Sequence, residues 1–432
     1  MTMKLRILLI LTVALGQMFW TGCGHYSCTD TFSPNNCSTG GGGGGGIGTG
    51  GGGGGGGSAA SAFAFAVDQT LGSIDGYTLS AGASTFQATS NYVAPVVPLS
   101  DPGVGVVVAQ KQFLYAVFGP ANQIYGWSIS SSGTLTTLAN FPMTVPLIGA
   151  VPSTFHQVSV ITNPAGTLLF VAQTLSSTIL VYQISTTGAL TAVTGSPFST
   201  GADEPVNLGM DGLGNYLYVT EDPDFTTHTA TKTAAYAVSA TTGALTAVPG
   251  SPFTFTGIPG MWEVQGDPSG QYLVGISGES ASLFGTDDDH TYVFGITQTG
   301  ANAGAIAQVT GSPFTTTYAP FNLTVNPVGE FIYTFSIAPG ATGNNATEGY
   351  LLNPASGALT VVSGSPFLNL FEGGNGQFEQ TGTYLFSYSG DVVLGSPVEL
   401  HPFVASNTGV LTAPFTDVEL NTTGYWAVTA PK

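Results

Sequence analysis

The stretch Gly188-Ala189-Leu190-Thr191-Ala192-Val193-Thr194-Gly195-Ser196-Pro197-Phe198 decides the fold, because it is not unique in the chain. The pattern Gly-Ala-(Leu/Ile)-x-x-Val-x-Gly-Ser-Pro-Phe starts again at Gly243, Gly304 and Gly357, and weaker copies start at Gly82, Gly133 and Gly409. The seven starts lie 51, 55, 55, 61, 53 and 52 residues apart. Repeats of this length are structural units that stack on one another. Working outward, each strong copy is preceded by a turn, as in Asn163-Pro164-Ala165-Gly166, Asp267-Pro268-Ser269-Gly270 and Asn326-Pro327-Val328-Gly329. An apolar strand follows the turn (Leu168–Val171, Tyr216–Val219, Tyr272–Val274, Phe331–Tyr333, Tyr384–Phe386), and then an alternating one such as Ile179–Ile184.

Each unit therefore predicts four short strands: A before the turn, B after it, then C, and D in the Gly-Ala-Leu-Thr segment. The glycine at Thr187-Gly188 or Thr242-Gly243 stands where a C–D hairpin needs positive φ. The proline of Gly-Ser-Pro-Phe holds the preceding Ser extended, and the Phe anchors the crossover to the next unit. One such sheet cannot bury both faces, whereas seven stacked radially can, with only short edges left. The fold class predicted is all-β, a seven-bladed β-propeller of four-stranded blades. At the seam, Phe63–Val67, Ile74–Ser80 and Thr85–Ala88 supply B, C and D, Thr416–Leu420 is read as the missing A strand, and Tyr425–Thr429 is surplus.

These repeats resemble the YVTN/lactonase-type seven-bladed propeller family over residues 59–432. The resemblance implies a propeller whose ligands bind around the channel, on the face carrying the D–A and B–C connections. It also implies a family that includes lactonases, a muconate-cyclising branch and members without established activity.

Composition excludes several functions. Only 7% of residues are charged, and Gly supplies 62 of the 432. All 24 carboxylates lie beyond Cys23, against Lys111, Lys232 and Lys432 and no arginine. Nucleic acid is rejected as a partner, since phosphate neutralisation needs many cations. A phosphorylated ligand lacks its usual bidentate clamp. The acidity itself is read as solubility in an extracytoplasmic setting.

Residues 1–22 read as a lipoprotein-type signal peptide: Lys4 and Arg6, then the apolar run Ile7–Leu15, which is too short to span a bilayer. Trp20-Thr21-Gly22-Cys23 resembles a lipobox, with Cys23 as the lipidation site, although Trp stands where Leu is usual. The implied address is the cell envelope, on a membrane-anchored lipoprotein; the alternative is a secreted protein. Cys28 and Cys37 could pair or stay free. Residues 23–58, with Gly40–Gly46 and Gly50–Gly57, read as a flexible linker reaching roughly 30–36 Å.

Three features fall on the ligand-bearing side. Four residues before each turn, strand A offers Ser159, Asn207, Glu263, Asn322, Asn375 and Asp417, alternating with mostly apolar neighbours. This predicts a polar ring on the channel, either a binding site or a hydrated wall satisfying its own hydrogen bonds. Lactonase-like relatives often carry Pro-His here. In this chain the matching pairs are Gln157-Val158, Pro205-Val206, Met261-Trp262 and Pro320-Phe321, with His156 two positions early. The expected base and carboxylate clamp are missing, which leaves Glu263 and His156 as catalytic candidates. Last, the B–C insertions Glu221–His228, Glu279–His290 and Asp391–His401 gather carboxylates. Asp222, Asp224, Asp287 and Asp289 are candidate ligands for a hard cation, Ca²⁺, with solvated loop tips as the competing reading.

The function read from sequence is a monomeric, non-catalytic binding module for a glycan or protein partner. The alternative is a divergent lactonase or other hydrolase using Glu263 and the acidic rim.

Overall fold

The computed structural model describes residues 60–432 except 69–71, 81–86, 94–102, 120, 147–157, 202, 223–231, 256–257, 259–260, 278–288, 337–345, 369–374, 390–397, 416 and 421–424. Its strands form seven antiparallel sheets. Blade 1 runs through Val104–Ala109, Phe113–Phe118, Gln123–Ile129 and Leu135–Thr137 as strands A to D. Blade 2 uses Val160–Thr162, Leu168–Gln173, Thr178–Ile184 and Leu190–Ala192. Blade 3 is built from Glu204–Met210, Tyr216–Asp222, Lys232–Val238 and Leu245–Ala247, and blade 4 from Glu263–Gly266, Tyr272–Ile276, His290–Ile296 and Ile306–Gln308. Blade 5 takes Pro320–Val325, Phe331–Ser336, Ala346–Leu352 and Leu359–Val361, and blade 6 Gly376–Phe378, Tyr384–Ser389, Val398–Ala405 and Leu411–Thr412.

The seventh blade closes the ring and corrects the expectation for the seam. Its order is Gln87–Val93, Ser73–Ser80, Ala60–Asp68, Tyr425–Thr429, so the C-terminal strand Tyr425–Thr429 is strand A. It pairs with strand B from Phe63↔Thr429 to Val67↔Tyr425. Val418–Leu420 instead pairs with strand C of blade 6, Leu400 opposite Val418. It is the counterpart of Met143–Thr144, Phe198–Ser199, Phe314–Thr315 and Phe367–Leu368, each of which also lies on its own blade's strand C.

These outer segments explain the Gly-Ser-Pro-Phe signature. Strand D pairs with strand C as far as the Val, leaves it for the length of x-Gly-Ser-Pro, and returns at the Phe. That excursion would strand one amide of strand C. The serine hydroxyl fills the place: Val181 N–H donates to Ser196 Oγ at 2.9 Å, Ala235 to Ser251 at 2.8 Å, Val293 to Ser312 at 3.0 Å and Gly349 to Ser365 at 3.0 Å. The Ser-Pro bonds of these four copies are cis, as is Phe141-Pro142.

Apolar residues pack between blades rather than in one centre. One cluster joins blades 1 and 2 through Phe113, Tyr115, Leu169 and Val171, and another joins blades 6 and 7 through Phe386, Leu400, Phe65's neighbour Ala64 and Trp426. Each interface between successive blades has its own cluster of this kind. Burial at roughly 25 cal/mol per Å² of apolar surface therefore rewards completing the ring, not any single blade.

Candidate functional site

The A strands face the axis and enclose a channel of about 930 Å³. They approach closely because small residues stand where they meet. A Cβ on Gly209 would fall 2.1 Å from the carbonyl oxygen of Val264 in the next blade.

Ser159, Asn207, Glu263, Asn322 and Asn375 all line the channel. Four of them reach sideways to the neighbouring A strand. Ser159 Oγ accepts from Leu208 N–H at 2.9 Å, and Asn207 Oδ1 from Val264 N–H at 3.4 Å. Glu263 Oε2 accepts from Leu323 N–H at 3.1 Å and from Asn322 Nδ2 at 2.8 Å. Asn322 Oδ1 accepts from Gly376 N–H at 2.9 Å. Each acceptor meets the amide one residue past the next ring position. The pattern is a belt that joins blade to blade with groups that would otherwise face the lumen unpaired.

Asp417 does not belong to this ring. It precedes Val418–Leu420 on the outer side of blade 6, and its Oδ1 lies 2.8 Å from His401 Nδ1. Spacing alone placed it in strand A; the pairing of Tyr425–Thr429 with Ala60–Asp68 leaves no room for it there.

Other wall residues carry no strong sequence signal. Gln265 makes a second tier, with Oε1 accepting from Val325 N–H at 3.1 Å and Nε2 donating to Leu323 O at 3.0 Å. Gln377 does likewise, its Oε1 accepting from Val428 N–H at 3.1 Å. Both lie two residues beyond a ring position, so period-2 alternation along strand A was the available clue. Trp262, Trp426 and Lys111 also line the channel.

Glu263 stands apart electrostatically. Burial pushes its carboxyl up to about 7, while the bonds from Leu323 N–H, Gln265 and Asn322 pull the other way. Gln265 Nε2 holds Oε1 at 3.0 Å. A second buried acid, Glu221 at the end of a strand B, is pushed up to about 8 by burial and by Asp203, with Lys232 opposing. Lys232 itself is bonded to Asp203.

The remaining candidates are placed as follows. Asp289 is exposed just before strand C of blade 4. Asp222 ends strand B of blade 3, with its side chain outside the described residues, and Asp224, Asp287, His156 and Cys23 also lie outside them.

Residues 58–254 match the family model described as lactonase, 7-bladed beta-propeller. The chain matches no curated protein. Among solved structures it is similar to a candidate 6-phosphogluconolactonase of Bacteroides uniformis, with 17% identity, a TM-score of 0.60 and coverage of 86% of this chain and 99% of the other. It is also similar to the periplasmic gluconolactonase of Pseudomonas aeruginosa, with 15% identity, a TM-score of 0.55 and coverage of 86% and 100%. At these identities the structures speak for the fold. By the match over residues 58–254 and by its seven sheets, the chain is similar to the lactonase-type seven-bladed β-propellers.

Proposed function

We propose that this propeller is a lactonase-like hydrolase acting on an uncharged cyclic ester held in the channel. The observation that carries the reading is Glu263, a carboxyl on the channel wall that burial pushes up to about 7. A general acid–base works best with a pKa near the working pH. As carboxylate, Glu263 would take the proton from an attacking water; as acid, it would return that proton to the ring oxygen as the C–O bond breaks. The carbonyl oxygens of Asn207 and Gln377 are used on neighbouring blades. What these amides offer a ligand is therefore N–H, the polarity that the oxyanion of a tetrahedral intermediate needs.

The ester carries no phosphate. Residues 60–432 contain no arginine, and of three lysines Lys232 is bonded to Asp203 and Lys432 to Gln112, which leaves Lys111 alone on the channel wall. One half-buried point charge is a poor trap for a dianion.

The belt favours a second reading. Glu263 and three other wall residues already hold neighbouring blades, as a non-catalytic module would require. The amides with Trp262 and Trp426 also suit a glycan bound without turnover. Under either reading, the leader and Cys23 support a cell-envelope lipoprotein, with a secreted protein as the alternative.

The test is turnover of a panel of neutral lactones by purified protein, with calorimetric titration of the corresponding sugars. Turnover lost in Glu263→Gln, with sugar binding kept, supports the hydrolase. Binding without turnover supports the module. Absence of both sinks the two readings together.

A further inference from the structure

On the outer side of blade 6, Glu399 and His401 alternate on strand C and so share one face of the sheet. Across the ladder, Glu419 stands opposite Glu399, and Asp417 continues that register opposite His401. Three carboxylates and one imidazole thus occupy the four corners of one cross-strand patch. Like charges directly opposite each other destabilise a sheet. No lysine or arginine occurs between Gly376 and Leu420 to relieve them.

The imidazole is arranged as a ligand would be. His401 is 2% exposed, and its Nδ1 lies 2.8 Å from Asp417 Oδ1. A carboxylate on one ring nitrogen fixes the proton there and turns the lone pair of the other outward, the usual support of a metal-bound histidine. That other nitrogen, Nε2, lies 4.0 Å from Glu399 Oε2. One cation with bonds of about 2.0–2.2 Å to nitrogen and oxygen bridges such a span at a wide angle.

We propose that Glu399 and His401 bind a divalent transition cation of the zinc class, with Asp417 as the residue that orients His401 and water completing the coordination. The mixed nitrogen and oxygen donors favour such an ion over Ca²⁺, which takes oxygen ligands alone. Both ligands lie on strand C of blade 6, and Asp417, beside His401, links the site to the approach of Val418–Leu420.

Calorimetric titration of EDTA-treated mature protein with Zn²⁺ tests this, beside Glu399→Gln, Asp417→Asn and His401→Gln. Expected are one zinc equivalent at micromolar affinity, a higher melting temperature with Zn²⁺ and no rise with Ca²⁺. Glu399→Gln changes a half-exposed side chain and should fold normally while binding zinc at least about 10-fold more weakly, and Asp417→Asn should weaken it about 10- to 100-fold. Zinc affinity unchanged in Glu399→Gln overturns the proposal, because the ion then binds elsewhere. So does absence of binding in the wild type, which would leave only an imidazole–carboxylate pair. An equal response to Ca²⁺ overturns the role given to His401.

Discussion

The hydroxyl of Tyr218 donates to the carbonyl of Gly304 at 3.0 Å, from the middle of blade 3 to the C–D turn of blade 4. Tyr115 makes the same bond to Gly188 at 2.8 Å, and Tyr333 to Gly409 at 2.7 Å. Strand B of one blade thereby latches the outer hairpin of the next. All three tyrosines are fully buried, and burial pushes their hydroxyls well above the ordinary value. They act as neutral donors. Tyr218→Phe should cost about 1–2 kcal/mol, since it leaves a buried carbonyl unpaired. The three Tyr→Phe changes lie at separate interfaces and should add nearly linearly. Urea unfolding midpoints of the single and triple variants check both statements.

The receiving turn has its own requirement. Gly304 has φ of +89°, and a Cβ there would lie 2.4 Å from the ring of Tyr216. Gly304→Ala should lose at least about 2 kcal/mol through backbone strain and overlap together. Gly295 is the control: its added Cβ finds nothing nearer than 3.8 Å and its φ is not positive. Gly295→Ala should be neutral to within about 0.5 kcal/mol. Paired denaturation curves decide the matter.

Glu263 makes stability depend on pH in a definite direction. Its folded pKa of about 7 lies above the ordinary 4.5. Between those values the folded protein holds a proton that the unfolded chain has released. The contribution is fully present below about pH 4.5, falls as pH rises to about 7, and is flat above. At 1.36 kcal/mol per pH unit the fall is of order 3 kcal/mol. Glu263→Gln cannot titrate. The wild-type advantage over the variant should shrink from pH 5 to pH 8 and then level off. Taking this difference also cancels Glu221, which titrates with the same sign. An advantage independent of pH would mean that Glu263 stays ionised throughout.

Removal of Tyr425–Lys432 should abolish the fold. The deletion strips strand A from blade 7 and exposes an edge along Phe63–Val67. Size-exclusion chromatography and near-UV circular dichroism would report aggregation or loss of tertiary packing. A monomer with unchanged melting temperature would show that six blades and a fragment suffice.

The blades were legible because each repeat carries its own punctuation: turn, apolar run, alternating run, glycine, Ser-Pro-Phe. The seam was misread for a physical reason. Val418–Leu420 and Tyr425–Thr429 are both short strands, and local pattern cannot tell which sheet edge each will meet. Only the open edge of Ala60–Asp68 selects the second, and Asp417 was misassigned as a result. In the channel, Ser159, Asn207, Glu263, Asn322 and Asn375 were found by alternation along strand A. Their sideways bonds were not, because the acceptor's partner is a backbone amide some 50 to 60 residues on, and an amide has no sequence signature. The tyrosine latches escaped for the same reason: their acceptors are glycine carbonyls.

Strand Ala60–Asp68 is hydrogen-bonded along both flanks, to Ser73–Ser80 on one side and Tyr425–Thr429 on the other. A pull along the axis of this strand loads two ladders at once, in shear, so their bonds must fail together instead of opening one by one. The noncovalent seam is therefore also a mechanical clasp against force along that strand.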